Sequence, residues 1–263
     1  MRQSPATRIR GAMFGVFAMS LIACQAASLS PSSSPTRSAS LGATIEPSAS
    51  PKPVTLPRPT DIPRDGTCES GHVCLGVLDA GKTYATVDFE SPFTLTMPMD
   101  GWENLEDVGG IFQLLPIAYP GDAIAFFRNP AGIGAGAASA GTGVDQLAAW
   151  LTANPLLDVT PPQPVTVGGL GGVSMDIRIA PGAQNQDPGC PVQVCVPFFR
   201  GVDQTPPSEW RWDWGSGGLE TQRLYLLTSA DGVVAIFVDS FDGTTFDSLT
   251  KAAEQILATV KFG

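Results

Sequence analysis

The sequence predicts an α+β fold: a largely antiparallel sheet with two main helices packed on it, preceded by a disordered Pro/Ser-rich linker. Three observations carry that reading. Short runs alternate apolar with polar residues, the period of a strand with one wet face. Two segments repeat their apolar residues every three to four positions, the period of an amphipathic helix. The order is several strands, a helix, several strands and a last helix, which favours α+β over strict β-α alternation.

The elements follow in chain order. Phe93-Thr-Leu-Thr-Met97 alternates. Ile111–Leu115 and Ala123–Phe127 are short apolar strands, parted by Tyr119-Pro120-Gly121. Thr142-Gly-Val-Asp145 has the form of a capping box with Asp in place of Glu, and opens the first helix. Val144, Leu147, Ala148 and Leu151 share one face of it, and Asn154-Pro155 ends it. Val173–Ile179 alternates apolar with polar and charged residues. Gln222–Thr228 and Val233–Ser240 flank Asp231-Gly232, a hairpin turn. The second helix follows Thr244, with Asp247 placed to cap it. Phe246, Leu249, Ala253, Ile256, Leu257 and Val260 form its buried stripe.

The N-terminus has a different logic. Arg2, Arg8 and Arg10 precede an uncharged run of 13 residues, Gly11 to Ala23. A helix needs about 20 apolar residues to span a bilayer, so this run is too short. A basic segment, a short apolar segment and small residues before a cleavage point make a signal peptide. Leu21-Ile-Ala-Cys24 resembles the lipobox of bacterial lipoproteins. That resemblance implies a diacylglyceryl group on Cys24 and cleavage just before it. Two acyl chains anchor stably, at ~0.8 kcal/mol per buried CH₂. The expected divisions are a signal peptide over 1–23, a lipid-anchored disordered linker over 24–65, and a single globular domain over 66–263. Ser and Pro dominate the linker, which lacks the apolar surface to offset its ordering entropy. As a flexible coil of about 40 residues it would reach ~35 Å. The protein is thus expected at the cell membrane, on the extracytoplasmic side.

Residues 66–263 carry 22 acidic and 8 basic side chains, a formal charge of −14. Such a surface repels nucleic acid and anionic headgroups, so no nucleic-acid partner is expected. Cys68, Cys74, Cys190 and Cys195 lie in a compartment that permits disulfides. Four cysteines allow three pairings. Cys68–Cys74 and Cys190–Cys195 are favoured because each pair flanks a turn-rich segment. Neither pair has the C-x₂-C spacing of a zinc site, so no metal and no cofactor are expected.

His72 is the single histidine, set in a turn between two cysteines. Ser-His-Asp and Cys-His chemistry both need a base near pH 7, and no G-x-S-x-G elbow is present. No catalytic residue is assigned on this basis. Two-carboxylate glycosidase chemistry stays open, since spacing in sequence says nothing about spacing in space. The Gly-rich run Gly132–Gly143 lacks the Lys of a P-loop and reads as a flexible loop. Asp239, Asp242, Gly243 and Asp247 lack the calcium-loop register; Asp242-Gly243 reads as a turn and Asp247 as the helix cap.

Phe93-x-Leu95-x-x-Pro98-x-x-Gly101-Trp102, followed by further strands and a late amphipathic helix, resembles the PsbP/Mog1/LpqN-like group. The resemblance covers about residues 84–262 in element order. It implies a fold, and the group has no single activity.

Glu209-Trp-Arg-Trp-Asp-Trp214 is the most unusual run in the domain. In a strand, Trp210, Trp212 and Trp214 share one face, with Glu209, Arg211 and Asp213 on the other. Large aromatics are usually buried, so core packing is the simpler expectation. The functional alternative makes Trp210, Arg211, Trp212 and Trp214 a surface for a small molecule, a glycan or an envelope protein. Gly215-Ser-Gly-Gly218 would then be a mobile loop beside it.

The expected function is therefore a membrane-anchored envelope lipoprotein with a non-enzymatic ligand- or partner-binding domain. A carboxylate-dependent envelope hydrolase and an accessory subunit of an envelope complex are the alternatives. Replacing Cys24 by Ser should abolish acylation and move the protein to the soluble fraction, as read by fractionation and intact mass.

Overall fold

The computed structural model describes residues 74–134, 136–203 and 210–263, with the backbone alone for 202, 203 and 210–212. Residues 1–73, which include Cys24, Cys68 and the expected linker, lie outside the described residues. No helix among the described residues is long and apolar enough to cross a membrane.

In chain order the strands begin with β1 (Gly76–Leu78), β2 (Thr83–Ala85), β3 (Phe93–Thr96), β4 (Trp102–Val108), β5 (Ile111–Pro116), β6 (Ala123–Arg128) and β7 (Ala131–Gly132). Helix α1 (Val144–Ala153) leads to β8 (Leu157–Val159), β9 (Gln163–Val167), β10 (Leu170–Ile179), β11 (Cys195–Asp203), β12 (Trp210–Gly217), β13 (Thr221–Ser229) and β14 (Gly232–Ser240). Helix α2 (Phe246–Leu257) and β15 (Lys261–Phe262) close the chain. Nine strands form one sheet in the order β1-β4-β5-β6-β14-β13-β10-β8, with β9 on a separate stretch of β10. Every strand pairing in it is antiparallel. Two smaller sheets, β12-β11-β7 and β15-β3-β2, complete the fold.

The centre of the large sheet is β14. Every residue from Val233 to Ser240 is buried, so both of its faces are covered. Val234, Ile236 and Val238 enter one core with α2 and the β15-β3-β2 sheet. Val233, Ala235 and Phe237 enter a second core with α1 and Phe198 and Phe199 of β11. A continuous apolar run is the pattern such double coverage requires. In the first core Phe93 stacks on Phe126 at 4.7 Å and meets Phe112 edge-on at 5.0 Å. In the second, Phe198, Phe199 and Phe237 pack within 5.9 Å of one another.

The α+β class, the antiparallel sheet and both helices are as expected, and three local readings shift. The hairpin turn is Ala230-Asp231, because Ser229 pairs with Gly232, which already belongs to β14. The cap of α1 moves one residue: Gly143 is the N-cap, and Gln146 Oε1 accepts the Thr142 and Gly143 N–H groups, both at 3.2 Å. Glutamine reaches back across one turn where the shorter Asp145 does not. Asp247 makes no cap hydrogen bond, and the N-cap of α2 is Thr245. Asp242 does form the expected turn, its Oδ1 accepting the Thr244 N–H at 2.9 Å and hydroxyl at 2.7 Å.

Buried acids have structural roles too. Asp107 is fully buried at the end of β4 and accepts the N–H groups of Val87, Asp88 and Phe89 at 2.6–3.1 Å. Desolvation still outweighs those three bonds and raises its pKa.

Gly172 tests the sheet. A Cβ there would stand 1.9 Å from the Leu226 carbonyl oxygen on β13. Gly172→Ala should cost at least ~2 kcal/mol in urea unfolding, since backbone must move to admit the methyl.

Candidate functional site

Strands β11 and β12 form a ribbon over the second core. Their register slips at Phe198, where Pro197 faces Gly215 but Phe199 faces Trp214. An extra residue on one strand bends it. Trp214 faces inward, its ring 5.2 Å from Phe127 and 5.5 Å from Phe237. Asp213 faces outward and holds Arg200 across the pair, at 2.5 Å to Nε and 2.7 Å to Nη2. The alternation expected of the Trp run is thus in place at these two positions. The backbone of Trp210, Arg211 and Trp212 belongs to β12, and their side chains lie outside the described residues.

The run Gly215–Gly218 was expected to be a mobile loop; instead Gly215–Gly217 belongs to the β12 ladder. Gly215 is required there, since a Cβ would meet the Val196 carbonyl oxygen at 2.5 Å. The chain then turns through Gly218 (φ 56°) into Glu220 and β13.

Beside this turn the segment before β11 is closed by the Cys190–Cys195 disulfide, with Cα atoms 5.7 Å apart, as expected from spacing. Cys74 is also disulfide-bonded, and its expected partner Cys68 lies outside the described residues. The Cys190–Cys195 loop, the end of β12 and Phe241 enclose a cleft of about 360 Å³. Pro191, Val192, Pro197 and Phe241 supply apolar wall; Asp187, Asp213 and Glu220 supply carboxyl groups.

Glu220 has an unusual environment. Its Oε2 accepts the Gly217 N–H at 2.7 Å and stands 3.4 Å from Gln222 Nε2. Burial nevertheless pushes its pKa up to about 7, because desolvation outweighs both bonds. Behind it Gln222 faces Asp239 across the β13–β14 ladder. Asp239 is raised well above the usual carboxylate range by desolvation first, then by the Glu220 charge; the Gln222 amide opposes this and the more distant Asp122 adds to it. Asp122 is itself raised by burial, although it accepts the Phe241 N–H at 3.0 Å and the Thr245 hydroxyl.

Polar atoms here are buried without hydrogen-bond partners: Ser216 Oγ on β12, Gln222 Oε1 on β13 and Asp239 Oδ1 on β14. Trp214 Nε1 is in the same condition further along β12. Buried polar groups are normally satisfied, so Ser216, which lines the cleft, makes this wall a candidate site. A carboxyl group with pKa near 7 on a cleft wall can hold or release a proton at neutral pH, or face a cation. Among the described residues no group of three or more His, Cys, Asp and Glu is placed to hold a metal ion.

Sequence reading missed Glu220, Gln222 and Ser216, none of which stands in a motif. Asp239 had a signal, a lone acid at the end of the apolar run Val233–Val238. It falls in the expected strand Val233–Ser240, and the structure buries it at the end of β14.

No family model matches the chain, and none of the curated proteins does. Among solved structures it is similar to a protein from Bacteroides thetaiotaomicron VPI-5482, at 14% identity and a TM-score of 0.33 over 70% of this chain. It spans 48% of that protein's length. It is also similar to the cyanobacterial PsbP (CyanoP) of Synechocystis sp. PCC 6803, at 8% identity and a TM-score of 0.35, covering 70% of this chain and 94% of that one. Both are weak resemblances in fold.

Glu220 fixes a pH dependence. Its proton leaves near pH 4.5 in the unfolded chain and at about 7 in the fold. The folded state therefore holds the extra proton between those values, and its contribution to stability falls as pH rises through them. Glu220→Gln should match the parent protein at pH 4.5 and exceed it by roughly 1–3 kcal/mol at pH 8, in urea unfolding at each pH.

Proposed function

We propose that this chain is a lipid-anchored envelope protein whose folded domain binds a ligand in the cleft between the Cys190–Cys195 loop and the end of β12. The observation that carries the binding reading is Ser216, buried with an unpartnered Oγ, on the wall of a cleft that it shares with Glu220, Asp187 and the apolar side chains of Pro191, Val192 and Phe241. A few polar groups set among apolar wall residues in a hollow of this size are a common feature of small-molecule sites. The anchor rests on the sequence: Arg2, Arg8 and Arg10, the apolar run to Ala23, and Cys24. The Ser/Pro-rich stretch that follows supports a tether rather than a second domain.

A second reading has one specific observation behind it. Glu220, raised to about 7, and Asp213, paired with Arg200, line the same cleft, and two carboxyl groups in unlike environments suit glycosidase-type acid and base roles. The two readings part in one experiment on the mature chain. Binding predicts ligand-induced amide shifts at Val192, Gly217 and Glu220 from a panel of glycans, amines and apolar small molecules, with no turnover. Hydrolysis predicts release from chromogenic glycosides that Glu220→Gln lowers at least 100-fold. Silence in both assays would remove the cleft as a site.

A further inference from the structure

We infer that the cleft ligand carries a primary ammonium group on an apolar body. The inference deepens the binding reading above and rests on it. Charge comes first. Asp187, Asp213 and Glu220 stand on the wall, Asp239 and then Asp122 lie behind Glu220, and among the described residues the lining holds no Lys, Arg or His. Arg200 is already held by Asp213 through two hydrogen bonds on the outer face of the ribbon. Among the described lining residues Asp187 and Glu220 therefore have no cation beside them.

Hydrogen-bond polarity is the second, independent observation. Ser216 lines the cleft, is 2% exposed and has a free Oγ. Gln222 and Asp239, 0% and 7% exposed, lie behind Glu220 and do not line the cleft; Gln222 Nε2 stands 3.4 Å from Glu220 Oε2 and Gln222 faces Asp239 across the ladder. An ammonium has three donors and no acceptor, so it complements the Ser216 Oγ and the carboxylates of the wall; an anion has none to offer. Trp214 Nε1, the unpartnered donor nearby, does not line the cleft. Pro191, Val192 and the half-exposed Phe241 would cover the carbon chain.

An alkylammonium can come from a free amine or from a lysine side chain. Two probes separate these sources: cadaverine, and Nα-acetyl-lysine N-methylamide. Pentanol and the norleucine amide are their uncharged counterparts. Each is titrated into the mature chain at pH 5.5 and 8, with the Gly217 amide as reporter, since that N–H donates to Glu220. We expect at least one ammonium probe to bind tenfold or more tightly than its counterpart. Affinity should rise about tenfold from pH 5.5 to 8 as Glu220 ionises. Glu220→Gln should lose that preference, and Asp158→Asn, an exposed acid on β8, should keep it. The tighter of the two probes identifies the source. A flat pH profile in the unaltered chain, or equal affinity for charged and uncharged probes, overturns the ammonium assignment and leaves cleft binding intact. Absence of any response to these probes and to the wider panel overturns both.

Discussion

The structure depends on the burial of β14 on both faces. Its Val233–Val238 run separates two cores, and each layer of the fold exists to cover one side of it. Covering either face alone would leave half of these side chains in water, at a cost of ~1.5–3 kcal/mol for each large one. The α2 helix and the β15-β3-β2 sheet close the first side; α1 and the β11–β12 ribbon close the second. At one end of β14 polar side chains, Asp239 and Ser240, meet this sandwiched interior.

The cleft sits at such an end. The apolar run of β14 gives way to Asp239 and Ser240, both still buried. Desolvation is the largest cause that raises both Glu220 and Asp239. Asp107 shows the contrasting solution at another edge. It too is raised by burial, but three backbone N–H groups bind it, and it ties the segment before β3 to β4. One acid is consumed by architecture, while Glu220 stands on the wall of a hollow and Asp239 behind it keeps an unpartnered Oδ1.

Tryptophan and glycine in β12 illustrate how context assigns roles. Trp214 is wedged between Phe127 and Phe237, so it works as the contact that seats the ribbon on the sheet. Gly215, read as a source of mobility, is fixed by the close approach of β11 at its bulge. The ribbon's bend brings Pro197 and Ser216 to the cleft wall.

Periodicity alone determined the strands at Phe93, Ile111, Ala123, Val173, Gln222 and Val233, both helices and the stripe Phe246–Val260, because each is a local property of consecutive side chains. Short spacing between turn-forming residues determined Cys190–Cys195 for the same reason. Only the tertiary structure decided that Glu220 and Asp239 share one desolvated end with Ser216 and Gln222. Ladder register sets Gln222 against Asp239, and the stacking of the β11–β12 ribbon on the sheet removes the water. Neither register nor stacking leaves a mark in the spacing of these residues along the chain, so a carboxyl that looks solvated in sequence becomes the most perturbed group of the cleft wall.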